Sequence, residues 1–294
     1  MPARLNELTV VFVSIVLQSL PFLLLGVFAS ALVQRHLSEA WLARWLPRRA
    51  LRLVLVSSLF GFVAPVCDCG VLPLARRLAA KGVPVYATTT FILAAPVVNP
   101  VVLLATAFAF QGNWGIVGLR MAMTLSVAIA VGLIASALFA PAAPPAPLPI
   151  SGGQDLAAGK PPGLIPRATA EFFDVIFFVI LGALSTAATQ TLVPRAELLS
   201  LGGRPIASVL ALMPVATLLS ICSEADAFVA RAFSTTFSLG AILAFMTIGQ
   251  IVDLRNGVLL LRTVGPGLLG LIVVVSYVIV FAEAVAVNAL VGRP

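Results

Sequence analysis

Six stretches of the sequence extend for 20 residues or more without a charged side chain. A helix needs roughly 20 apolar residues to cross the hydrocarbon core of a bilayer. Only 10% of the 294 residues are charged and 61% are hydrophobic, whereas about 25% of residues are charged in soluble domains. The chain is therefore predicted to be an all-α, multi-pass membrane protein.

Two more apolar segments contain or adjoin polar interruptions, which brings the prediction to about eight hydrophobic segments. The first run is too long for the apolar region of a signal peptide, so we expect a retained span. The predicted location is therefore a membrane that the chain crosses several times. The uncharged runs cover residues 8–34, 83–119, 121–154, 175–194, 232–252 and 263–282, and the interrupted segments cover residues 53–75 and 205–223.

The formal charge of +7 comes mainly from arginines at the ends of these segments. Arginine beside a span is what membrane topology requires, so we expect no nucleic-acid partner. The expected partners are the lipid bilayer and a small-molecule substrate, and homo-oligomer formation is left open. The sequence contains no nucleotide-binding P-loop pattern, and we predict neither an enzymatic reaction nor a cofactor.

A segment rich in proline, glycine and alanine separates two halves of similar length. Such a composition does not favour a regular helix. We therefore predict an N-terminal membrane repeat (1–140), a linker (141–166) and a C-terminal membrane repeat (167–294). The halves share similar stretches in the same order, "FLLLGVFASA" with "FFVILGALSTAA" and "PVCDCGVLPLARRL" with "SICSEADAFVARAF". Shared order at similar spacing indicates an internal duplication.

The distribution of basic residues favours one of two topologies. If all eight segments cross the membrane, the two faces carry nearly equal numbers of basic residues. If residues 53–80 and 205–231 enter the membrane and return, about two thirds of the basic residues lie on one face, as the positive-inside rule predicts. Each half then has three full spans, and an odd number makes the repeats inverted. We predict broken or re-entrant helices at the centre of such an inverted repeat.

The stretch "APVCDCGVLPLA", at 64–75, interrupts an apolar segment with residues that disfavour a regular helix. Proline lacks the backbone N–H and clashes with the preceding turn. In transporters, broken helices at corresponding positions of two halves indicate the substrate site. We therefore predict that this break contributes substrate-binding residues, namely Cys67, Asp68, Cys69, Gly70 and Pro73.

The corresponding stretch of the second half, "SICSEADAF", adds Cys222, Ser223, Glu224 and Asp226 to the predicted site. A carboxylate inside the membrane costs roughly 2.5–3.5 kcal/mol on insertion scales, so these acids require compensation. Together with Asp68 they are candidates for proton coupling. The structural alternative is an ion pair, for which the candidates are Arg76, Arg77 and Arg231.

All three cysteines of the chain, Cys67, Cys69 and Cys222, lie in the two breaks. Three cysteines are too few for a disulfide framework. Thiolates select soft metals such as Cu(I) and Zn(II), and trivalent arsenic shares this preference. We predict a secondary transporter for a thiophilic solute, with these residues as soft-ligand candidates for a metal or metalloid. The alternatives are a soft-metal cation transporter, a membrane thiol–disulfide carrier and a structural or channel-like protein.

A third polar position lies in "APVVNP", where Asn99 stands between two prolines. This arrangement predicts a further helix break, with Asn99 and Pro100 lining a pathway. Asp253 occupies the corresponding position of the second half and completes the predicted site.

The combined motifs resemble those of the predicted permease family that includes the ArsP-type organoarsenical efflux permeases and the YraQ proteins. The resemblance extends from about residue 8 to residue 288. It implies an eight-segment, multi-pass permease of the bacterial inner (plasma) membrane and, in the ArsP branch, efflux of trivalent organoarsenicals with cysteines as arsenic contacts. The matching positions are Cys67, Cys69, Gly70, Pro73, Asn99, Pro100, Cys222, Ser223, Asp226, Ala227, Phe228 and Asp253.

Two positions depart from the pattern of that family. Asp68 stands where a small residue such as serine is common, and Gln250 stands where proline is usual. A carboxylate between two cysteines favours a cation over a neutral arsenical. The substrate therefore does not follow from the resemblance alone.

Overall fold

The computed structural model describes residues 50–63, 68–139, 204–253 and 265–291, with isolated positions within 6–49, 169–184 and 257–261. For several of these residues, including Asp68 and Cys69, it describes the backbone without the side chain. The described ranges form helices joined by turns and contain no strand.

Nine helices have both ends within the described ranges. In chain order they are α1 (Ala50–Val63), α2 (Asp68–Ala80), α3 (Val85–Val98), α4 (Pro100–Ala109), α5 (Trp114–Leu138), α6 (Pro205–Leu219), α7 (Ser223–Phe233), α8 (Leu239–Ile251) and α9 (Pro266–Val291).

Three helical stretches of 25 residues are long and apolar enough to cross a membrane: Val85–Ala109, Trp114–Leu138 and Pro266–Leu290. At 1.5 Å per residue a continuous helix of this length reaches about 37 Å, which exceeds the hydrocarbon thickness of about 30 Å. The stretch Val85–Ala109 is interrupted at Asn99. Helices α1, α6 and α8 are apolar but only 13–15 residues long. Short helices agree with the partial insertion predicted for residues 53–80 and 205–231, which cover most of α1 and all of α6. Helix α8 lies in the run 232–252, for which a full span is predicted, and it is shorter than a full span requires. The count of eight segments extends to residues outside the described ranges and stays a prediction.

The two halves repeat one packing pattern. In the first half α1, α3 and α5 pack against one another and α2 packs on α3; in the second half α6, α8 and α9 pack together and α7 packs on α8. The halves meet where α5 contacts α8 and α9 and where α4 contacts α7. This correspondence agrees with a duplication, whereas the inverted orientation of the repeats stays a prediction.

Helices α3 and α8 occupy equivalent central positions, and the side chains from Ala87 to Val98 and from Gly240 to Ile251 are all buried. Both helices are approached closely by small residues. A Cβ placed on Gly61 of α1 would overlap Ala95 of α3. Small residues allow this close contact between helices that have lipid around them.

The predicted break at Asn99 is confirmed. Helix α3 ends at Val98, Asn99 adopts φ −59° and ψ 127°, and α4 begins at Pro100. The Asn99 side chain accepts a hydrogen bond of 2.9 Å from the Val101 N–H. Proline is favoured at the start of a helix because its missing N–H would have no partner there. The sequence therefore ends one helix and starts the next within a single residue.

The second-half break is also present. Helix α6 ends at Leu219, Ser220 takes the left-handed conformation with φ 44°, and α7 begins at Ser223 after the extended Cys222. In the first half α1 ends at Val63 and α2 begins at Asp68. The intervening residues 64–67 lie outside the described residues.

Some predicted segment limits are wrong. Residues 83–119 and 121–154 were separated at Arg120, but α5 continues through Arg120. The turn lies earlier, where Gln111 and Gly112 have φ of 54° and 80°. The uncharged run 263–282 belongs to α9, which continues through Glu283 to Val291 as expected for a last span that contains this residue. A single charged residue need not end a helix when it is paired inside the protein.

The contribution of the Asn99 cap to the stability of the protein can be measured by substitution. Asn99 is 3% exposed, so water cannot readily replace its oxygen at the Val101 N–H. We expect Asn99→Ala to lower the free energy of unfolding by about 1–2 kcal/mol, measured as a lower thermal midpoint of the purified protein. The control is Asn113→Ala, because Asn113 caps α5 with a 3.1 Å bond at an exposed position. Equal losses for the two variants would contradict the role of the buried cap.

Candidate functional site

A fully buried arginine lies beside the second-half break. Arg120 is 0% exposed and stands six residues after the start of α5. Its Nη1 donates to Thr106 Oγ1 of α4 at 2.7 Å. Its Nη2 donates to the carbonyl oxygen of Ser223 at 3.3 Å. The arginine thereby joins α4 and α5 to the first turn of α7.

Arg120 forms an ion pair with Asp226, which is 2% exposed. Nη2 lies 2.9 Å from Oδ1 and 2.7 Å from Oδ2 of the aspartate. Sequence reasoning nominated Arg76, Arg77 or Arg231 as the structural partner of the acids, and for Asp226 this was wrong. The guanidinium comes from a helix far away in the sequence.

Gln250 of α8 completes this polar group. Its Nε2 donates to Asp226 Oδ2 at 2.7 Å and to the Ile221 carbonyl at 3.3 Å, and the residue is 4% exposed. The amide therefore contacts both the ion pair and the interrupted backbone between α6 and α7. We call Thr106, Arg120, Asp226 and Gln250 the buried polar cluster.

The cluster is electrically neutral, because one guanidinium meets one carboxylate. A neutral, hydrogen-bonded pair is the form in which charges are tolerated away from water. The Nε of Arg120 has no hydrogen-bond partner among the described residues. The cluster holds the start of α7 against α4, α5 and α8, and this fixes the position of the second-half break.

Cys222 lies at this break, directly before α7. It is the N-cap residue with extended backbone angles (φ −62°, ψ 149°) and is half-buried. Its carbonyl accepts hydrogen bonds from the Ala225 and Asp226 N–H groups at 3.0 and 2.9 Å. The thiol is thus carried on an irregular residue four positions from the ion pair.

The structure brings some predicted site residues together. Ser223, Asp226 and Cys222 are adjacent in the first turn of α7, and Ser223 and Asp226 both contact Arg120. Asn99 and Asp253 are each 3% exposed and stand at the ends of the central helices α3 and α8. Pro100 is the first residue of α4.

Other predicted residues are described only in part. Gly70 is buried in α2, and the backbone of Asp68, Cys69 and Pro73 belongs to the same helix. Cys67 and the side chains of Asp68, Cys69, Pro73 and Glu224 lie outside the described residues. Among the side chains that are described, no group of three His, Cys, Asp or Glu residues is placed to hold a metal ion. The three-sulfur site thus stays a prediction.

Sequence reasoning missed Arg120 and Thr106 and noted Gln250 only as a departure from a family pattern. Two signals could have identified Arg120. The turn-forming stretch "QGNWG" at 111–115 lies five residues or more before it. A lone arginine inside a helix that starts there needs an acidic partner, and the acids of the second break are among the candidates that the sequence offers.

Comparisons with known proteins identify the family of this chain. The family model of the ArsP_1 predicted permeases matches residues 4–289. UPF0718 protein YcgR of Bacillus subtilis is 37% identical over 285 residues, covering 96% of this chain and 97% of that protein. No solved structure matches this one.

Two further relatives cover less of the chain. A Streptococcus mutans protein named as a proposed subunit of a two-component membrane permease complex is 33% identical over 87% of this chain and 86% of its own length. UPF0718 protein YraQ of Escherichia coli is 26% identical over 37% of this chain and 31% of its own length. With its apolar spans and near-complete match to the family model, this chain belongs to the ArsP_1 family of predicted permeases.

Proposed function

We propose that this permease is a secondary transporter that exports a small thiophilic solute, with trivalent organoarsenicals as the first substrates to test. The observation that carries the proposal is the helix break at Ser220–Cys222, which places a half-buried cysteine at the start of α7 within an apolar bundle. Broken helices whose N-terminal ends face a central site are typical of transporters.

Cysteine chemistry supports the choice of substrate class. Methylarsenite carries two hydroxyl groups on arsenic, and each can be replaced by a thiol with release of one water. Two sulfurs therefore bind one methylarsenic group, leaving a neutral dithiolate. We place one sulfur at Cys222 and the other at Cys67 or Cys69 of the first-half break, so that the solute binds between the two repeats.

Asp226 has a positioning role in this proposal rather than a coupling role. Its two oxygens are bonded to Arg120 and Gln250, so the carboxylate is held within the protein by both side chains. The pair holds the first turn of α7 while the opposing break moves during alternating access. Asp68 and Glu224 remain candidates for contact with the solute.

The experiment is transport by purified protein in proteoliposomes, with methylarsenite, inorganic arsenite and Zn(II) as separate probes. We expect uptake of methylarsenite into vesicles by wild type and its loss in Cys222→Ser, because a hydroxyl does not replace a thiol as an arsenic ligand. Ser234→Ala, at the opposite end of α7, serves as the control and should transport normally.

Two outcomes would contradict the proposal. Wild-type rates in Cys222→Ser would show that the sulfur does not bind the solute. Transport of Zn(II) but not of methylarsenite would show that the substrate is a soft or borderline metal cation and not an arsenical. A disulfide between Cys222 and either other cysteine, formed and reduced during turnover, would instead support the thiol–disulfide carrier.

A further inference from the structure

A second polar contact inside the bundle lies away from both breaks. Ser126 Oγ of α5 is 2.5 Å from Glu283 Oε1 of α9. Ser126 stands twelve residues from each end of α5, and Glu283 stands eight residues before the end of α9. At 1.5 Å per residue these positions are about 18 Å and 12 Å from the nearest helix ends. The carboxyl group therefore lies at membrane depth.

No basic residue compensates Glu283 within the described part of the chain. Among the described helices, those with the most extensive contact with α9 are α5, α6 and α8, and their only charged side chain is Arg120. Arg120 is bonded to Thr106, Ser223 and Asp226 instead. Tyr277, the other titratable residue of α9, is 2.7 Å from Thr217 of α6.

The second carboxyl oxygen of Glu283 is buried as well. Oε2 is shielded from solvent and has no hydrogen-bond partner among the described residues. A charged carboxylate with one bare oxygen at this depth costs several kcal/mol. A carboxylic acid avoids this cost, because it carries no net charge.

The hydrogen bonds of Ser126 also favour the uncharged carboxylic acid form of Glu283. Ser126 Oγ is 2.7 Å from the Met123 carbonyl and 2.5 Å from Glu283 Oε1. A serine hydroxyl has a single hydrogen and can donate only once. Both short contacts are hydrogen bonds at the same time when Ser126 donates to Met123 and Glu283, as an acid, donates to Ser126.

We infer that Glu283 is a proton-binding residue of the transport cycle, with Ser126 as its hydrogen-bond partner. In the protonated form Glu283 donates to Ser126, which donates to Met123. When the proton leaves to water, the negative charge stays on Glu283, and the Ser126 hydroxyl turns to donate to it. Binding of a proton from water on the other side restores the first arrangement.

This inference rests on the proposed transport function and adds to it the residue that couples transport to proton movement. Helix α5 carries both Ser126 and, six residues earlier, Arg120, which holds the start of α7. A movement of α5 against α9 therefore also moves Arg120, which holds the start of α7 at the second-half break. The coupling site is separate from the predicted solute site.

The first experiment measures the proton directly and needs no substrate. Infrared spectra of the protein in liposomes are recorded across a pH series, and the spectrum of Glu283→Gln is subtracted from that of wild type. We expect a protonated-carboxyl band at neutral pH that titrates with alkali. Ser126→Ala should shift this band, whereas Ser136→Ala, which removes the equivalent bond to Leu133 on the same helix, should leave it unchanged.

The second experiment measures coupling with methylarsenite as the probe. Glu283→Gln should keep exchange of methylarsenite across the vesicle membrane but lose accumulation driven by a pH gradient. A difference spectrum without a protonated carboxyl at neutral pH, or gradient-driven accumulation by Glu283→Gln, would overturn the inference. Wild-type vesicles that move no probe would instead refute the proposed function, and the infrared result would still decide whether Glu283 binds the proton.

Discussion

Asp226→Asn is expected to lower the free energy of unfolding by about 3–5 kcal/mol, because it leaves Arg120 charged and buried without its counter-ion. Arg120→Gln should cause a loss of similar size by leaving the aspartate uncompensated. Thermal unfolding of the purified protein in detergent, followed by the loss of the monodisperse peak in size-exclusion chromatography, measures both changes.

The double variant distinguishes the ion pair from two independent contacts. Arg120→Gln with Asp226→Asn removes both charges while retaining groups that can form hydrogen bonds, so it should be more stable than either single variant. The control is Arg231→Gln, because Arg231 is exposed at the end of α7 and its loss should change stability by about 0.5 kcal/mol or less. Additive losses in the double variant would contradict the interpretation.

Gly132→Leu should disrupt the contact between α3 and α5. A Cβ at Gly132 would overlap Thr90 Oγ1 and lie 3.2 Å from Val54 Cγ1. Thr90 is fully buried and its hydroxyl is bonded to the Tyr86 carbonyl at 2.8 Å, so it cannot easily move away. Overpacking of this kind costs about 1–3 kcal/mol or more, and we expect a lower thermal midpoint and reduced membrane yield.

Gly118→Leu provides the matched control on the same helix. Gly118 of α5 has no atom within 4 Å of the position that a Cβ would occupy. Both substitutions improve the intrinsic helix propensity by the same amount, so the difference between them isolates the packing. A Gly118→Leu variant as unstable as Gly132→Leu would contradict the close contact of α3 with α5.

The helical, membrane-embedded class and the helix breaks followed from local features of the sequence. Long uncharged runs predict helices in a membrane, and "APVVNP" predicts the interruption that the structure shows at Asn99. The break before Ser223 was found because the second half repeats the order of the first. The apolar runs and the Asn99 break depend on residues close together in the chain, and the break before Ser223 on the similarity of two local stretches.

The buried polar cluster could not be predicted in the same way. Arg120 and Asp226 are 106 residues apart, and nothing in either local pattern specifies the other. A lone arginine in an apolar region has the same local appearance whether it ends a span or is paired inside one. Likewise the contact of Glu283 with Ser126 depends on the packing of α5 on α9, which no local pattern encodes.

If the two breaks form one binding site for a thiophilic solute, a single arsenic group should bridge peptides from both breaks. The protein in liposomes is treated with methylarsenite, digested without reductant and analysed by mass spectrometry. We expect one methylarsenic group that joins a peptide containing Cys222 to the peptide containing Cys67 and Cys69. Methylarsenic bound only between Cys67 and Cys69, or absent from all three cysteines, would contradict a shared site.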